Sequence, residues 1–111
     1  AILIDNYPKP MGIAKSAMVL VPCTGYIESG SIGLKICRIA DSHADLFIKD
    51  IAIRDWDIAA PMLILNEAGG CFALSNGNEY KLKSSYEKRG IIASRNLDLL
   101  NNAVLLMEGK G

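Results

Sequence analysis

Asp57 stands where a polar stretch, Arg54-Asp55-Trp56, gives way to the apolar run Ile58–Leu65. A carboxylate at the start of an apolar helix lies at the positive end of the helix dipole. Its plainest duty there is to cap the helix, which aspartate does well. A cap requires neither a tryptophan immediately before it nor the Ala59-Ala60 pair just after it. Small residues in a first turn let a ligand or another backbone approach closely. Pro61 is tolerated at a helix start because early N–H groups have no intrahelical acceptor. The pattern predicts a helix start crowded against something and carrying fixed negative charge. A hard cation such as Mg2+, which takes oxygen ligands and keeps several waters, suits that place.

Other chemistry is thinly represented. Cys23, Cys37 and Cys71 are odd in number, show no CxxC spacing, and share the chain with one histidine, His43. A structural zinc site wants four Cys or His ligands, so none is expected, and the thiols read as reduced and buried in a cytoplasmic protein. Twelve basic and twelve acidic residues cancel, which argues against a nucleic-acid or anionic-membrane surface driven by bulk charge. The longest apolar runs, Ala17–Cys23 and Ile58–Leu65, fall far short of the ~20 residues that span a bilayer. The opening Ala1-Ile-Leu-Ile-Asp5 has no basic leader and begins inside an apolar run, as a fragment or processed chain would.

The elements that must position Asp57 alternate along 111 residues, half of them hydrophobic and 22% charged, which is room for one domain with a modest core. Ala17–Pro22 is a short apolar run that reads as a strand buried on both faces. Ile32–Asp41 reads as a helix with Ile32, Ile36, Ile39 and Ala40 on its apolar stripe and Lys35, Arg38 and Asp41 mostly off it. Ala44–Ile48 reads as a strand. Asp57–Ala68 reads as a helix apolar almost all round, hence central, stopped by Gly69-Gly70. Cys71–Leu74 is a strand, Asn76-Gly77 a turn towards a short strand near Tyr80, Ile91–Ser94 a strand, and Leu97–Met107 an amphipathic helix. Strands alternating with helices predict a layered α/β/α domain with a mostly parallel or mixed sheet.

The stretch Trp56-Asp-Ile-Ala-Ala-Pro-Met-Leu-Ile-Leu-Asn-Glu-Ala-Gly-Gly70 resembles the C-terminal signature of the inositol monophosphatase-like superfamily of Mg2+-dependent, lithium-sensitive phosphatases. Gly30-Ser-Ile-Gly-Leu-Lys-Ile-Cys-Arg-Ile-Ala40 resembles its G-(S/T)-x-x-L-K-x-C-x-V-A helix, Ala44-Asp45-Leu46 its A-D-x-Y strand, and Ile91–Asn96 its late strand. The resemblance covers about Gly30 to Met107. It implies that Asp57 ligates a catalytic magnesium, one of two or three ions that polarise a phosphate ester and activate water. It implies that Gly30 and Ser31 line the substrate pocket at a helix start. Counted back from Trp56-Asp57, Asp50 falls where inositol-type members carry a substrate-binding Glu, and Lys49 where nucleotide-type members carry an Arg; the plain alternative for both is a solvated loop charge. Glu67 reads as a local capping or pairing group.

The departures carry equal weight. A glycine usual shortly before the W-D pair is Ala52 here, which would reshape the loop from Lys49 to Arg54. Only Cys23–Ser29 separates the expected strand at 17–22 from Gly30, where the family has a helix in a longer segment, so either that helix is absent or residues are missing. The family's other metal ligands, a Glu and two Asp in D-P-(I/L)-D-G-T, belong to an N-terminal domain and do not occur in this sequence. The chain reads as the C-terminal domain, 1–111, of a Mg2+-dependent phosphomonoesterase, silent by itself. Asp50 favours an inositol or sugar monophosphate as substrate. Lys49 and Pro61 favour a 3′(2′),5′-bisphosphate nucleotide, and the missing motif favours a non-catalytic binding or dimerisation module. The resemblance further implies a homodimer and inhibition by Li+.

Overall fold

A computed structural model of the chain describes residues 1–20, 23–53, 55–74 and 88–110. Its elements are β1 (Ile2–Asp5), α1 (Ile13–Leu20), β2 (Gly25–Glu28), α2 (Ile32–Ala40), β3 (Leu46–Ile53), α3 (Asp55–Glu67), β4 (Cys71–Leu74), β5 (Lys88–Ser94) and α4 (Leu97–Lys110). The strands form a five-stranded sheet in the order β2-β1-β3-β5-β4. β1 runs parallel to β2 and β3, whereas β5 is antiparallel to β3 and β4, so the sheet is mixed.

Successive strand side chains point to opposite faces, and the core divides accordingly. Leu3, Leu46, Ile48, Ala73 and Ile92 pack on one face against Ile13, Ala14 and Ala17 of α1 and Leu100, Ala103 and Leu106 of α4. Ile4, Phe47, Ile91 and Ala93 pack on the other against Ile36 and Ile39 of α2 and Ile58 and Leu65 of α3. Two helices per face make the three-layer α/β/α domain that the alternation predicts.

Three expectations need correction. Of the run Ala17–Pro22, residues 17–20 are not strand but close α1, and residues 21–22 lie outside the described residues. Ile13, Ala14 and Ala17 are buried at helical spacing while Val19 is 79% exposed, a face pattern no doubly buried strand could have. The short apolar run lacked the period that separates helix from strand until Ile13–Ser16 is joined to it. The helix expected in the segment before Gly30, either absent or lost with missing residues, has a counterpart in α1, with β1 before it and β2 after it. The strand expected to end at Ile48 continues to Ile53, so the segment from Lys49 is strand rather than loop. Asn76-Gly77 and the strand near Tyr80 lie outside the described residues.

The third correction concerns α3. It is a surface-layer helix that buries Ile58 and Leu65 and leaves Leu63 and Ile64 exposed, so apolarity all round did not make it central. It begins at Asp55, which makes Asp57 its third residue and not its cap, and Pro61 its seventh. Pro61 therefore has no N–H to offer the Asp57 carbonyl, the partner its place in the helix would assign. The C-terminus is a complete Schellman turn: Gly70 N–H bonds the Leu65 carbonyl at 3.0 Å and Gly69 N–H the Asn66 carbonyl at 3.1 Å, with Gly69 at φ +87°.

Candidate active site

The three parallel strands place their carboxyl ends at one edge of the sheet. From β1 the chain turns to the α1 face. From β2 and β3 it turns to the opposite face, into α2 and α3. With the order β2-β1-β3, the connections part between β1 and β3. In open α/β sheets such a switch point opens a crevice beyond the strand ends, where ligands bind. Every residue expected at the site lies on this edge: Gly30 and Ser31 lead into α2, Lys49 and Asp50 belong to β3, and Asp57 lies in the first turn of α3.

Ser31 caps α2. Its backbone is extended and its Oγ accepts the Leu34 N–H at 3.1 Å. One hydroxyl satisfies one orphan donor, and the helix geometry leaves the N–H groups of Ile32 and Gly33 without intrahelical acceptors. A Cβ built on Gly30 meets nothing within 4 Å, so the chain itself leaves open space before this turn. An anionic oxygen would be favoured there by the α2 dipole and the first-turn donors together.

The turn is held from below by a residue that the sequence pattern placed off the apolar face. Lys35 is 2% exposed, its ammonium donates to the Gly30 carbonyl at 3.1 Å, and it sits 4.9 Å above the centre of the Phe47 ring. Burial pushes its pKa down, the Asp5 carboxylate offsets part of that, and the Lys49 charge adds to the lowering. Its spacing contained the signal: Lys35 lies three residues after Ile32 and four before Ile39, hence on their stripe.

Lys49 is likewise not a solvated loop charge. Its ammonium bonds both Asp5 carboxylate oxygens, at 2.9 and 3.2 Å, and Asn6 Oδ1 at 3.2 Å, and it lies 4.8 Å from the centre of the Tyr7 ring. The side chains of Lys49 and Asp5 are 13% and 1% exposed. Asp5 closes β1, its carbonyl accepts the Ser29 N–H at 2.8 Å, and one carboxylate oxygen accepts the Asn6 N–H at 2.8 Å. Tyr26 Oη donates to the Tyr7 carbonyl at 2.7 Å and so ties the loop after β1 to β2. Asp5 escaped the sequence reading because the strand it terminates was not recognised. A carboxylate at the end of the apolar run Ile2–Ile4 was the available signal.

Asp50 falls where the β3–β5 register shifts, between Lys49 and Ala52. Irregularities of this kind re-aim a strand and gather near sites. Among the described residues no group of three or more His, Cys, Asp or Glu is arranged to hold a metal ion. Of the residues expected here, Asp57 is the one assigned to a metal, and one carboxylate falls short of a metal site. The open cavity of about 540 Å³ between Asp45, Arg95 and the start of α4 lies at the opposite end of β3 and contains none of the expected residues.

The profile of the inositol monophosphatase family matches residues 5–107. The fructose-1,6-bisphosphatase/inositol-1-monophosphatase of Thermococcus kodakarensis is 31% identical over 112 residues, covering 93% of this chain and 44% of that protein. Inositol monophosphatase 1 of Sus scrofa is 33% identical over 79 residues, covering 71% of this chain and 27% of that protein. Among solved structures, a hypothetical Pyrococcus horikoshii protein with similarities for inositol-1 monophosphatase superposes with a TM-score of 0.73 at 25% identity, over 94% of this chain and 41% of that one. The chain thus spans less than half the length of these relatives.

Proposed function

Because this chain belongs to the inositol monophosphatase family, we propose that it forms the C-terminal part of a Mg2+-dependent phosphomonoesterase acting on an inositol monophosphate or a related sugar phosphate. The observation that carries this reading is the convergence of Gly30, Ser31, Lys49, Asp50 and Asp57 on the carboxyl edge of the parallel strands. The α2 start, with its open donors and open approach, receives substrate oxygens, and the Lys35 ammonium holds the Gly30 carbonyl in place. Asp57 contributes one metal ligand and Asp50 engages substrate hydroxyls. The metal, when bound, neutralises charge on the phosphoryl oxygens and lowers the pKa of a coordinated water.

The remaining ligands then come from a preceding domain, and the 111-residue chain alone does not turn over substrate. Leu63 and Ile64, exposed on α3, are apolar area that such a domain or a second subunit of a homodimer would cover. Among the described residues no helix is long and apolar enough to cross a membrane. A cytoplasmic enzyme, with Cys23, Cys37 and Cys71 as reduced thiols, agrees with the three free cysteines. Sensitivity to Li+ belongs to the same proposal.

The deciding experiment is phosphate release from inositol 1-phosphate by the whole protein with Mg2+, compared with its Asp57→Asn variant. Loss of one carboxylate ligand should lower kcat at least about a hundredfold, in the range seen when electrostatic support of a transition state is removed. Turnover within threefold of the parent would remove Asp57 from the metal site.

A further inference from the structure

The Asp5–Lys49 pair occupies the mouth of the crevice between β1 and β3, and the proposed chemistry has no use for it. A single cation at this place would be the natural grip for a second anionic group on the substrate. Here it is fully engaged: two carboxylate oxygens and one amide oxygen accept from an ammonium that has three protons, and the Tyr7 ring covers it. The carboxylate is the more deeply buried partner, at 1% side-chain exposure. Drawing Lys49 away would strand a buried negative charge, so the pair resists opening far more than a surface pair would. The backbone fixes it beside the substrate edge, because the Asp5 carbonyl accepts the N–H of Ser29, the residue before Gly30.

We propose that Asp5 is a specificity-determining residue: by holding the Lys49 ammonium it withholds that cation from a second phosphoryl group and restricts the site to esters with one phosphoryl group on an uncharged, hydroxyl-bearing body. The inference rests on the phosphomonoesterase reading for the site's location and names its substrate class. Asp5 does not touch the substrate and acts through Lys49.

The test compares inositol 1-phosphate, with one phosphoryl group, and adenosine 3′,5′-bisphosphate, with two, bound to the whole protein. Calorimetric titration with Ca2+ in place of Mg2+ keeps a divalent ion at the site and reads affinity without turnover, so it reports on Asp5 even if the protein hydrolyses neither compound with Mg2+, a result that would sink the phosphatase reading alone. Asp5→Asn keeps an oxygen for the Asn6 N–H and releases Lys49. Affinity for the bisphosphate relative to the monophosphate should rise about tenfold or more, the worth of one charge-assisted hydrogen bond. The double variant Asp5→Asn/Lys49→Gln, which removes both charges, should return that ratio to within about threefold of the parent. Two results overturn the proposal: no change in the ratio on Asp5→Asn, or a tenfold fall in the neutral double variant, which would mean that Lys49 already grips the second phosphoryl group. Should Asp5→Asn fail to fold, judged by circular dichroism, the double variant alone decides between these outcomes.

Discussion

Asp45 fastens the sheet at the end away from the site, and replacing it should be costly for a nearly isosteric change. Its Oδ2 accepts the Ile2 N–H at 2.7 Å and its Oδ1 accepts Arg95 Nη1 at 2.9 Å. Its own N–H donates to the Ile2 carbonyl at 2.7 Å, and its carbonyl accepts the Arg95 N–H at 2.9 Å. One residue thus ties the start of β1 to the exit of β5. In Asp45→Asn the backbone bonds persist. One carboxylate oxygen, however, becomes an NH2 facing a donor, and the other loses its charge. A charge-assisted bond contributes about 1.5–3 kcal/mol against about 0.5–1.5 for a neutral one, so the Ile2 contact loses about 1 kcal/mol and the donor–donor clash adds a similar amount. Arg95 is 52% exposed, so its ion pair is worth at most about 1 kcal/mol. The expected total is about 2 kcal/mol, measured as a shift in urea midpoint at constant slope. Arg95→Ala should cost less than half of that. Burial alone would raise the Asp45 carboxyl; the Arg95 hydrogen bond, the Ile2 N–H and the Arg95 charge outweigh it and hold the group below its ordinary 3.8. A depressed folded-state value gives stability that is present above pH 3.8 and lost as pH falls through that lower value. The gap between parent and Asp45→Asn should therefore be constant from pH 7 to 5 and narrow below about pH 4. If Arg95→Ala is as damaging as Asp45→Asn, or the gap is the same at pH 3 and pH 7, the account of Asp45 is wrong.

Gly70→Ala should destabilise by about 1–3 kcal/mol, because the new Cβ collides with Leu65 Cδ1, stands 2.8 Å from Leu65 Cγ and 3.0 Å from the Ser94 carbonyl oxygen; a thermal midpoint unchanged within error would show that Leu65 swings away freely. Ser42 holds φ +71° after α2, where Ile39 and Arg38 carbonyls accept the N–H groups of Ser42 and His43. Ser42→Gly should therefore stabilise by about 0.5–1 kcal/mol, relief of left-handed strain exceeding the added freedom of the unfolded chain, and a lower urea midpoint would contradict it.

The parts of the fold legible in the sequence were those with a period long enough to be read. α2 has an apolar stripe that repeats at helical spacing, α3 and α4 have more than three turns each, and β4 is bounded by Gly69-Gly70. β1, α1 and β2 were obscured for physical reasons. The strands are four residues each, too short to show alternation, and α1 hides its helical face by beginning with Ile13-Ala14 after a loop rich in Pro and Gly. Reading 17–22 as a strand then displaced the neighbouring elements. The β3–β5 pairing, with its shift between Lys49 and Ala52, joins residues far apart in the chain, which no local pattern encodes.

For the site, residue type and position were legible while charge state and partnership were not. Ser31 was placed at a helix start through the family resemblance, and local chemistry accounts for it, since a serine three residues before a backbone donor can cap it alone. Lys49 could not be read this way. Its meaning depends on Asp5, forty-four residues away on a neighbouring strand, and a lysine paired with a buried carboxylate presents a different surface to an anion from a free one. Net neutrality of the chain is silent on this point, because it sums charges that the fold has already matched. Asp5 bears on two cations at this edge: its carboxylate pairs with Lys49, and its charge acts on the buried Lys35. Lys35 is fixed on a carbonyl and Lys49 on the carboxylate, so both ammonium groups at this edge are already engaged, and the first-turn N–H groups of α2 are the donors left open there.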